Sequence, residues 1–419
     1  MKKKIGILVE SYYRTPQPNG ICTRAIAEEL YKQDHDVTVF TSKRGLNQPK
    51  SEKVNGIEIL RFNRRLAFLF RNISNYYTKR LSIIARLISK TLFKIDNSLK
   101  FFAWPLHSIL LIFKYIYAVN KVHKNKELDV LVGVYLHLEE VIAAIIIKKN
   151  FPKIKLVIYT LDALSGRTVP KIFGTKKFAE ISVKLWEKII FNNADIICAM
   201  ESHREHYNHP SYDNIRTKLK FMDIPYLKFK KNDALIERKS DKVSIVYTGF
   251  SSETTGAPFY FIEALKLIKN VEFHMYGGRS KNVERFIGES GLLNKVIYLH
   301  GRKPHDEIIK IQQSADILVN FGNDNSCMVP SKIFEYISNK KPIISFYNIS
   351  NDASYPYLKR YANSLLIKEE KALFEENVNS LEKFIFADNY TEISDDFLLK
   401  NFYNNTPYPM VEEILKTNF

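Results

Sequence analysis

Short apolar runs alternate with helix-patterned stretches twice along this chain, and that alternation leaves few folds open. Residues 5–9 form an apolar run, and 21–33 have helical periodicity with Ile21, Ala25, Ala27 and Leu30 inward. Strands are expected at 37–41, 56–60, 128–132 and 155–160, with a helix at 141–149. A second series follows: strand 243–249, helix 258–268, strands 271–276 and 296–299, helix 305–314 and strand 316–320. Between the series, 226–241 is charged and lacks an apolar pattern, as a linker does. The expectation is an α/β chain with two doubly wound parallel-sheet domains facing across a cleft. The first spans 1–225, the second 242–390, and a basic helical insertion lies at about 64–126. No G-x-G-x-x-G follows the first strand and no acid closes the second, where Ser42 and Lys43 stand. A dinucleotide-dependent dehydrogenase is therefore disfavoured.

Charge is concentrated rather than spread. Residues 61–126 hold 14 Lys/Arg and one acid, Asp96, which places +13 of the net +18 in one segment. Aromatic and branched apolar residues separate the cations, and Pro105, His107 and Lys114 interrupt the apolar run 101–119. A spanning helix needs about 20 largely uncharged residues. The segment 64–120 instead suits the interface of an anionic membrane. No nucleic-acid-binding motif accompanies the charge, so no nucleic-acid partner is expected. Cys22, Cys198 and Cys327 are too few and too scattered for a disulfide framework or a zinc site, which suits a reducing compartment. Glu10 ends the first apolar run too early for a signal peptide. The expected location is the cytoplasm, against the inner face of the plasma membrane.

The densest chemistry lies in Val329-Pro330-Ser331-Lys332-Ile333-Phe334-Glu335-Tyr336, followed by Lys341-Pro342-Ile343-Ile344. Proline fits a helix's first turn, where its missing N–H costs nothing. Ile333 and Ile337 share the core face, and Ser331, Lys332 and Glu335 share the other. A helix start and a lysine attract phosphate, and a carboxylate accepts two hydroxyl hydrogen bonds from a ribose. An ordinary capped helix with a surface Lys–Glu pair would carry the same residues.

Pro330 to Tyr336 with Lys341 to Ile344 resembles the donor-site signature of bacterial GT-B glycosyltransferases of the family-4-like type. The resemblance implies a sugar-nucleotide-dependent transferase with a lipid-linked or polysaccharide acceptor, needing no cofactor and no metal, the nucleotide-sugar being its substrate. It implies that Glu335 holds the ribose and that Lys332, with Pro330, Ser331 and Phe334 at the helix start, holds the diphosphate. Gly249, Gly277 and Gly278, at strand ends, admit a ligand close to the backbone, and Arg279 offers phosphate a two-pronged contact. Asn19-Gly20 resembles the family's small-residue turn on the acceptor side. Asp162 follows a strand at its carboxyl end, where doubly wound folds place ligands, although a turn cap would look the same. The Asp34-His35-Asp36 turn matches a metal-binding D-x-D formally but precedes a strand, the wrong end of the sheet. In many family members an acid stands at the sugar, eight residues before Glu335; here that residue is Cys327, with Asn323, Asp324 and Asn325 nearby. An Arg and a Lys usual after the second domain's first strand are replaced by 249–254, Gly-Phe-Ser-Ser-Glu-Thr. Retention of configuration is the family's usual course, and residues 391–419 would return to the first domain. A non-catalytic sugar-nucleotide binder and an epimerase on the same scaffold stay open.

Overall fold

Strands buried on both faces must be largely apolar, and the central runs of this chain are. The computed structural model describes residues 1–13, 18–43, 48–63, 83–88, 90–92, 106, 108–161, 176–227, 241–323 and 329–416. Asp162, Asp324, Asn325, Cys327, most of the 64–107 stretch and linker residues 228–240 lie outside them. The chain divides into two compact units, one of Met1–Pro225 with Asn404–Phe419, the other of Tyr226–Tyr403.

The first unit holds β1 (Lys4–Leu8), β2 (Asp36–Lys43), β3 (Ser51–Val54), β4 (Ile57–Asn63), β5 (Val130–Tyr135), β6 (Lys155–Thr160), β7 (Ile196–Met200) and β8 (Leu219–Met222). They lie in the order β3-β4-β2-β1-β5-β6-β7-β8. All neighbours are parallel except β3 and β4. That antiparallel edge is absent from the sequence expectation, which had one strand at 56–60. Its signal was Asn55-Gly56, both at positive φ (49° and 83°), the two-residue turn whose twist suits a hairpin. Strand order reverses between β1 and β5, where Ile5 pairs with Val37 on one side and Val130 on the other.

Helices α1 (Pro18–Lys32), α2 (Ile109–Lys126), α3 (Leu138–Asn150) and α4 (Lys176–Asn193) make the connections. Right-handed crossovers put α2, α3 and α4 on one face of the sheet and α1 on the other. The first of these faces carries a core of Leu111, Ile112, Tyr115, Val119, Val141, Ala144, Ile190 and Phe191 against the strands.

The second unit is a six-stranded all-parallel sheet of β9 (Val243–Thr248), β10 (Val271–Tyr276), β11 (Ile297–His300), β12 (Ile317–Phe321), β13 (Ile343–Tyr347) and β14 (Ser364–Lys368). The order is β11-β10-β9-β12-β13-β14, reversing between β9 and β12. Its helices of seven residues or more are α5 (Phe259–Leu265), α6 (Lys281–Glu289), α7 (His305–Ser314), α8 (Lys332–Ser338), α9 (Phe374–Ile385) and α10 (Asp395–Phe402). Phe261, Phe273, Phe321 and Phe346 pack ring to ring at its centre, 5.1 to 6.2 Å apart.

α10 stays with the second unit, and α11 (Tyr408–Leu415) belongs to the first. Lys155 in β6 sends its ammonium to the carbonyls of Glu413 (2.7 Å), Ile414 (3.3 Å) and Lys416 (2.6 Å), while Lys3 reaches that of Leu415 (2.6 Å). Those carbonyls are the ones a helix end leaves unpaired. Lys155→Met should therefore strand several acceptors and cost about 1–3 kcal/mol. A lowered urea midpoint with an unchanged slope checks this.

Candidate active site

The crevice at a reversal of strand order is where a parallel sheet receives ligands, and the second unit's reversal carries the richest set of side chains. β9 ends at Thr248 and turns on Gly249 at φ 144°, with Gly277 at φ 123° beside it. The two loops press backbone to backbone: a Cβ on Gly277 would stand 2.0 Å from the Gly249 carbonyl oxygen. Glycine is required there by space as well as by φ. The Gly249 amide donates to the Tyr276 carbonyl at 2.9 Å, locking β9 to β10 at this edge.

Lys332 opens α8 and lays its ammonium 4.0 Å from the centroid of the Tyr247 ring. It also lies 3.6 Å from the point where a Gly249 side chain would begin. The residue is half-buried as a whole, and its enclosed ammonium is pushed down to about 7 by burial. Among the described residues no carboxylate pairs with it. Glu335, one turn on, receives the Gln312 side-chain amide at 3.2 Å and has His305 Nε2 at 3.6 Å. The same Gln312 nitrogen donates to Thr248 Oγ1 at 3.0 Å, and its oxygen accepts from Asn339 at 2.9 Å. Tyr336 Oη sits 3.1 Å from Thr248 Oγ1 and accepts from the Thr248 amide at 3.0 Å. Gln312, fully buried on α7, is thus the hub that holds Glu335 to the end of β9. Sequence reasoning missed it, since a lone glutamine on a helix carries no signal until its partners are known.

The remaining expected donor-side residues are distributed unevenly. The helix begins at Lys332, so Pro330 precedes it and Ser331 takes the cap position without a side-chain cap. The Ile333 and Phe334 amides close onto the Pro330 and Ser331 carbonyls at 3.1 and 3.2 Å, so they face the turn. Phe334 is fully buried, edge-on to Tyr357 at 5.0 Å. Arg279 is engaged by Glu284 at 3.1 Å and by the His300 carbonyl at 3.1 Å. Gly278 lies beside Phe250 and Arg302. Asn323 is buried, and its amide donates to Asp352 at 3.3 Å.

In the first unit Asn19 and Gly20 are not in a loop. They lie in the first turn of α1, which starts at Pro18 because a helix's first residue needs no N–H. Asn19 donates its side-chain amide to the Tyr135 carbonyl at 3.1 Å, tying α1 to the end of β5. Asp34 pairs with Lys2 at 2.8 Å and Asp36 with Lys126 at 2.9 Å, as expected of a surface turn. Among the described residues no group of three or more His, Cys, Asp or Glu could hold a metal ion.

A cluster the sequence reading overlooked sits at the first unit's order reversal. Glu10 follows β1 and His137 follows β5, with 3.7 Å between Glu10 Oε1 and His137 Nε2. Glu139 and Glu140, at the start of α3, are fully buried beside them. Burial first, then the neighbouring Glu139, push the Glu140 carboxyl up to about 8. Its Oε1 is 2.9 Å from Tyr115 Oη, which also reaches the Val9 carbonyl at 3.2 Å. At neutral pH this carboxyl therefore holds its proton. In a sequence, two adjacent acids opening an apolar helix look no different from ordinary dipole-compensating residues.

No protein-family model matches the chain, and no curated protein matches it in sequence. Solved structures do match it, over its whole length. Sucrose-phosphate synthase from Thermosynechococcus elongatus is 13% identical with a TM-score of 0.58, covering 99% of this chain and 95% of that one. Anabaena HepE, solved with UDP and glucose, is 13% identical with a TM-score of 0.53, covering 99% and 96%. WaaG, a glycosyltransferase involved in lipopolysaccharide biosynthesis, is 12% identical with a TM-score of 0.52, covering 99% and 100%. The fold is that of the GT-B glycosyltransferases.

The two displaced ionisations have opposite signs. The native state keeps a proton on Glu140 that the unfolded chain releases between pH 4.5 and about 8, so stability falls as pH rises through that window. Glu140→Gln should flatten this loss and raise the melting temperature at pH 8–9, as thermal melts over pH 5–9 would show. Lys332 is lowered, so the unfolded chain binds the extra proton between about pH 7 and 10.5, and stability rises with pH there. Lys332→Met should stabilise the free protein most at pH 6–7, and calorimetry at pH 6.5 and 9.5 would reveal the difference.

Proposed function

We propose that the protein is a glycosyltransferase of the family-4-like type that moves a sugar from a nucleotide-sugar onto a lipid-linked or polysaccharide acceptor in surface-glycan assembly. One observation carries this reading: Lys332 and Glu335 converge on the carboxyl end of β9, beside Gly249 and Gly277, at the order reversal of the second sheet. In this assignment the paired glycines let a diphosphate lie against the backbone. Lys332 is the cation that meets it, and the Glu335 carboxylate, steadied by Gln312, accepts hydrogen bonds from the ribose hydroxyls. Negative charge grows on the departing diphosphate as the glycosidic C–O bond breaks, and a cation already desolvated beside it stabilises that charge without reorganising. The reaction is assigned as metal-independent and retaining, the family's usual course. The solved structures with UDP or UDP-2-fluoro glucose bound on this fold support a nucleotide-sugar donor.

The acceptor side is assigned to the first unit, with the Glu10–His137 pair and Asn19 at its order reversal, and with Asp162, two residues after β6 in the sequence, as a further candidate. The basic segment 64–120 is assigned to an anionic membrane surface, at the cytoplasmic face. No helix among the described residues is long and apolar enough to cross a membrane.

Thermal shift across nucleoside diphosphates tests the donor assignment, since a specific ligand stabilises by mass action. Incubation with UDP-, GDP- and CMP-sugars then separates transfer or hydrolysis from epimerisation and from binding alone. Glu335→Ala should weaken nucleotide binding about tenfold or more, the loss of roughly 1.4 kcal/mol or above, with a nearly unchanged melting temperature. Unaltered affinity in this variant would remove the ribose assignment. Because the diphosphate selects the charged form of Lys332, affinity should fall as pH rises above about 7, by at most about tenfold per unit. Titration calorimetry at several pH values measures it.

A further inference from the structure

Two helices on one face of the first unit are apolar on the side turned away from the sheet as well as on the side turned toward it. α2 buries Leu111, Ile112, Tyr115 and Val119, yet Ile109, Leu110, Phe113 and Tyr117 are 52% to 72% exposed. The spacing of Ile109, Phe113 and Tyr117 is four, so they form one stripe, with Leu110 along its flank. α4 repeats the arrangement with Ile181, Leu185 and Ile189, again four apart and 39% to 60% exposed, while Ile190 and Phe191 are buried. A helix bathed in water normally presents polar residues outward. Here two neighbouring outer faces present large aliphatic and aromatic side chains, separated by α3, which is buried along most of its length. Residues 83–88, also helical, add exposed Ile83, Ile84, Leu87 and Ile88.

Among the described side chains of these three helical stretches, the exposed charges are cationic. α2 contains no acidic residue, and Lys121 and Lys124 are exposed along it. Lys188 is exposed on α4, where Glu187 is buried and occupied by Tyr212. Arg86 and Lys90 are exposed beside the 83–88 stripe. Contact with a second copy of the chain would set these cations against themselves. A surface of anionic headgroups above an acyl boundary satisfies both the cations and the stripes.

The position of the α2 stripe gives an orientation. The Ser108 amide, just before α2, donates to Glu139 at the start of α3. The exposed half of α2 therefore lies at the carboxyl edge of the sheet, the edge that carries Glu10 and His137.

We infer that the outer faces of α2 and α4 together form a lipid-contacting surface that seats the first unit on an anionic bilayer with the carboxyl edge of its sheet near the headgroups. The inference extends the membrane assignment above from the basic segment to α4, and it explains how a lipid-linked acceptor reaches that edge without leaving the bilayer. Long aliphatic side chains enter the acyl boundary while lysines and arginines stay among the phosphates. Insertion of two parallel stripes fixes the tilt of the unit, which charge alone does not.

The test is flotation of the full chain on phosphatidylcholine vesicles with and without roughly a third phosphatidylglycerol. Wild type should float with the anionic vesicles only. Leu110→Glu with Phe113→Glu, and separately Ile181→Glu with Leu185→Glu, should each lower partitioning about tenfold or more. The thermal shift given by nucleoside diphosphates should be unchanged in both. If the α4 variant floats like wild type, the inference is overturned, while the assignment of the basic segment stands. If wild type does not float, both membrane assignments fall, and the donor reading still rests on its own nucleotide response. A dimer in light scattering that either variant dissolves would show a copy interface instead and would equally overturn it. Should the glutamate pair on α4 lower the melting temperature, Ile181→Gln with Leu185→Gln carries the same comparison, since it removes apolar surface without adding charge.

Discussion

A parallel sheet whose strand order reverses opens a crevice that no side chain of the sheet itself fills, and this chain contains that crevice twice. Between β9 and β12, and again between β1 and β5, the connecting helices leave to opposite faces and their loops part at the carboxyl edge. Every polar group of interest follows from that geometry. Lys332, Glu335, Gln312 and Thr248 converge at one reversal, Glu10 and His137 at the other. Residues far apart in sequence meet there because each terminates, or directly follows, an element that ends at the same edge.

Within the second unit, polar satisfaction and its deliberate absence lie side by side. Gln312 spends both amide protons and its carbonyl on Thr248, Glu335 and Asn339, which leaves Glu335 with one settled orientation. The Lys332 ammonium lies against the face of Tyr247 with no carboxylate beside it among the described residues, and burial alone shifts it. A cation so placed is costly in the free protein and becomes favourable when an anion arrives. The first unit shows the inverse at Glu140, a carboxyl kept protonated by burial and by an adjacent acid. Both arrangements store an electrostatic preference in the fold that only a ligand or a change of pH can release.

Much of the architecture was legible in the chain. β1, β5, β9 and β12 are predominantly apolar because both faces of a parallel sheet are covered, and that pattern is visible without coordinates. The hairpin at Asn55-Gly56 had a local signal of equal strength that the apolar patterning obscured. α1 starts at Pro18, ahead of the helical periodicity expected over 21–33, because a proline can open a helix as well as shape a turn. Phe334 and Arg279 show the limit on the site side. Both stand in the right stretch, yet one is turned into the core and the other is held by Glu284, and nothing in spacing distinguishes such partners.

The sequence alone determined the two strand–helix series, the break between them, the concentration of cations in 61–126 and the placing of Lys332 and Glu335 one turn apart on one helix. These are properties of period and composition, carried by residues within a turn or a strand of one another. The tertiary structure alone decided that Gln312 joins Glu335 to Thr248, that Gly277 meets Gly249, and that Glu140 is enclosed with Tyr115. It also decided that α2 and α4 keep apolar faces outward. Those outcomes depend on which elements become neighbours, and neighbours across a sheet are set by packing over distances that no local pattern encodes.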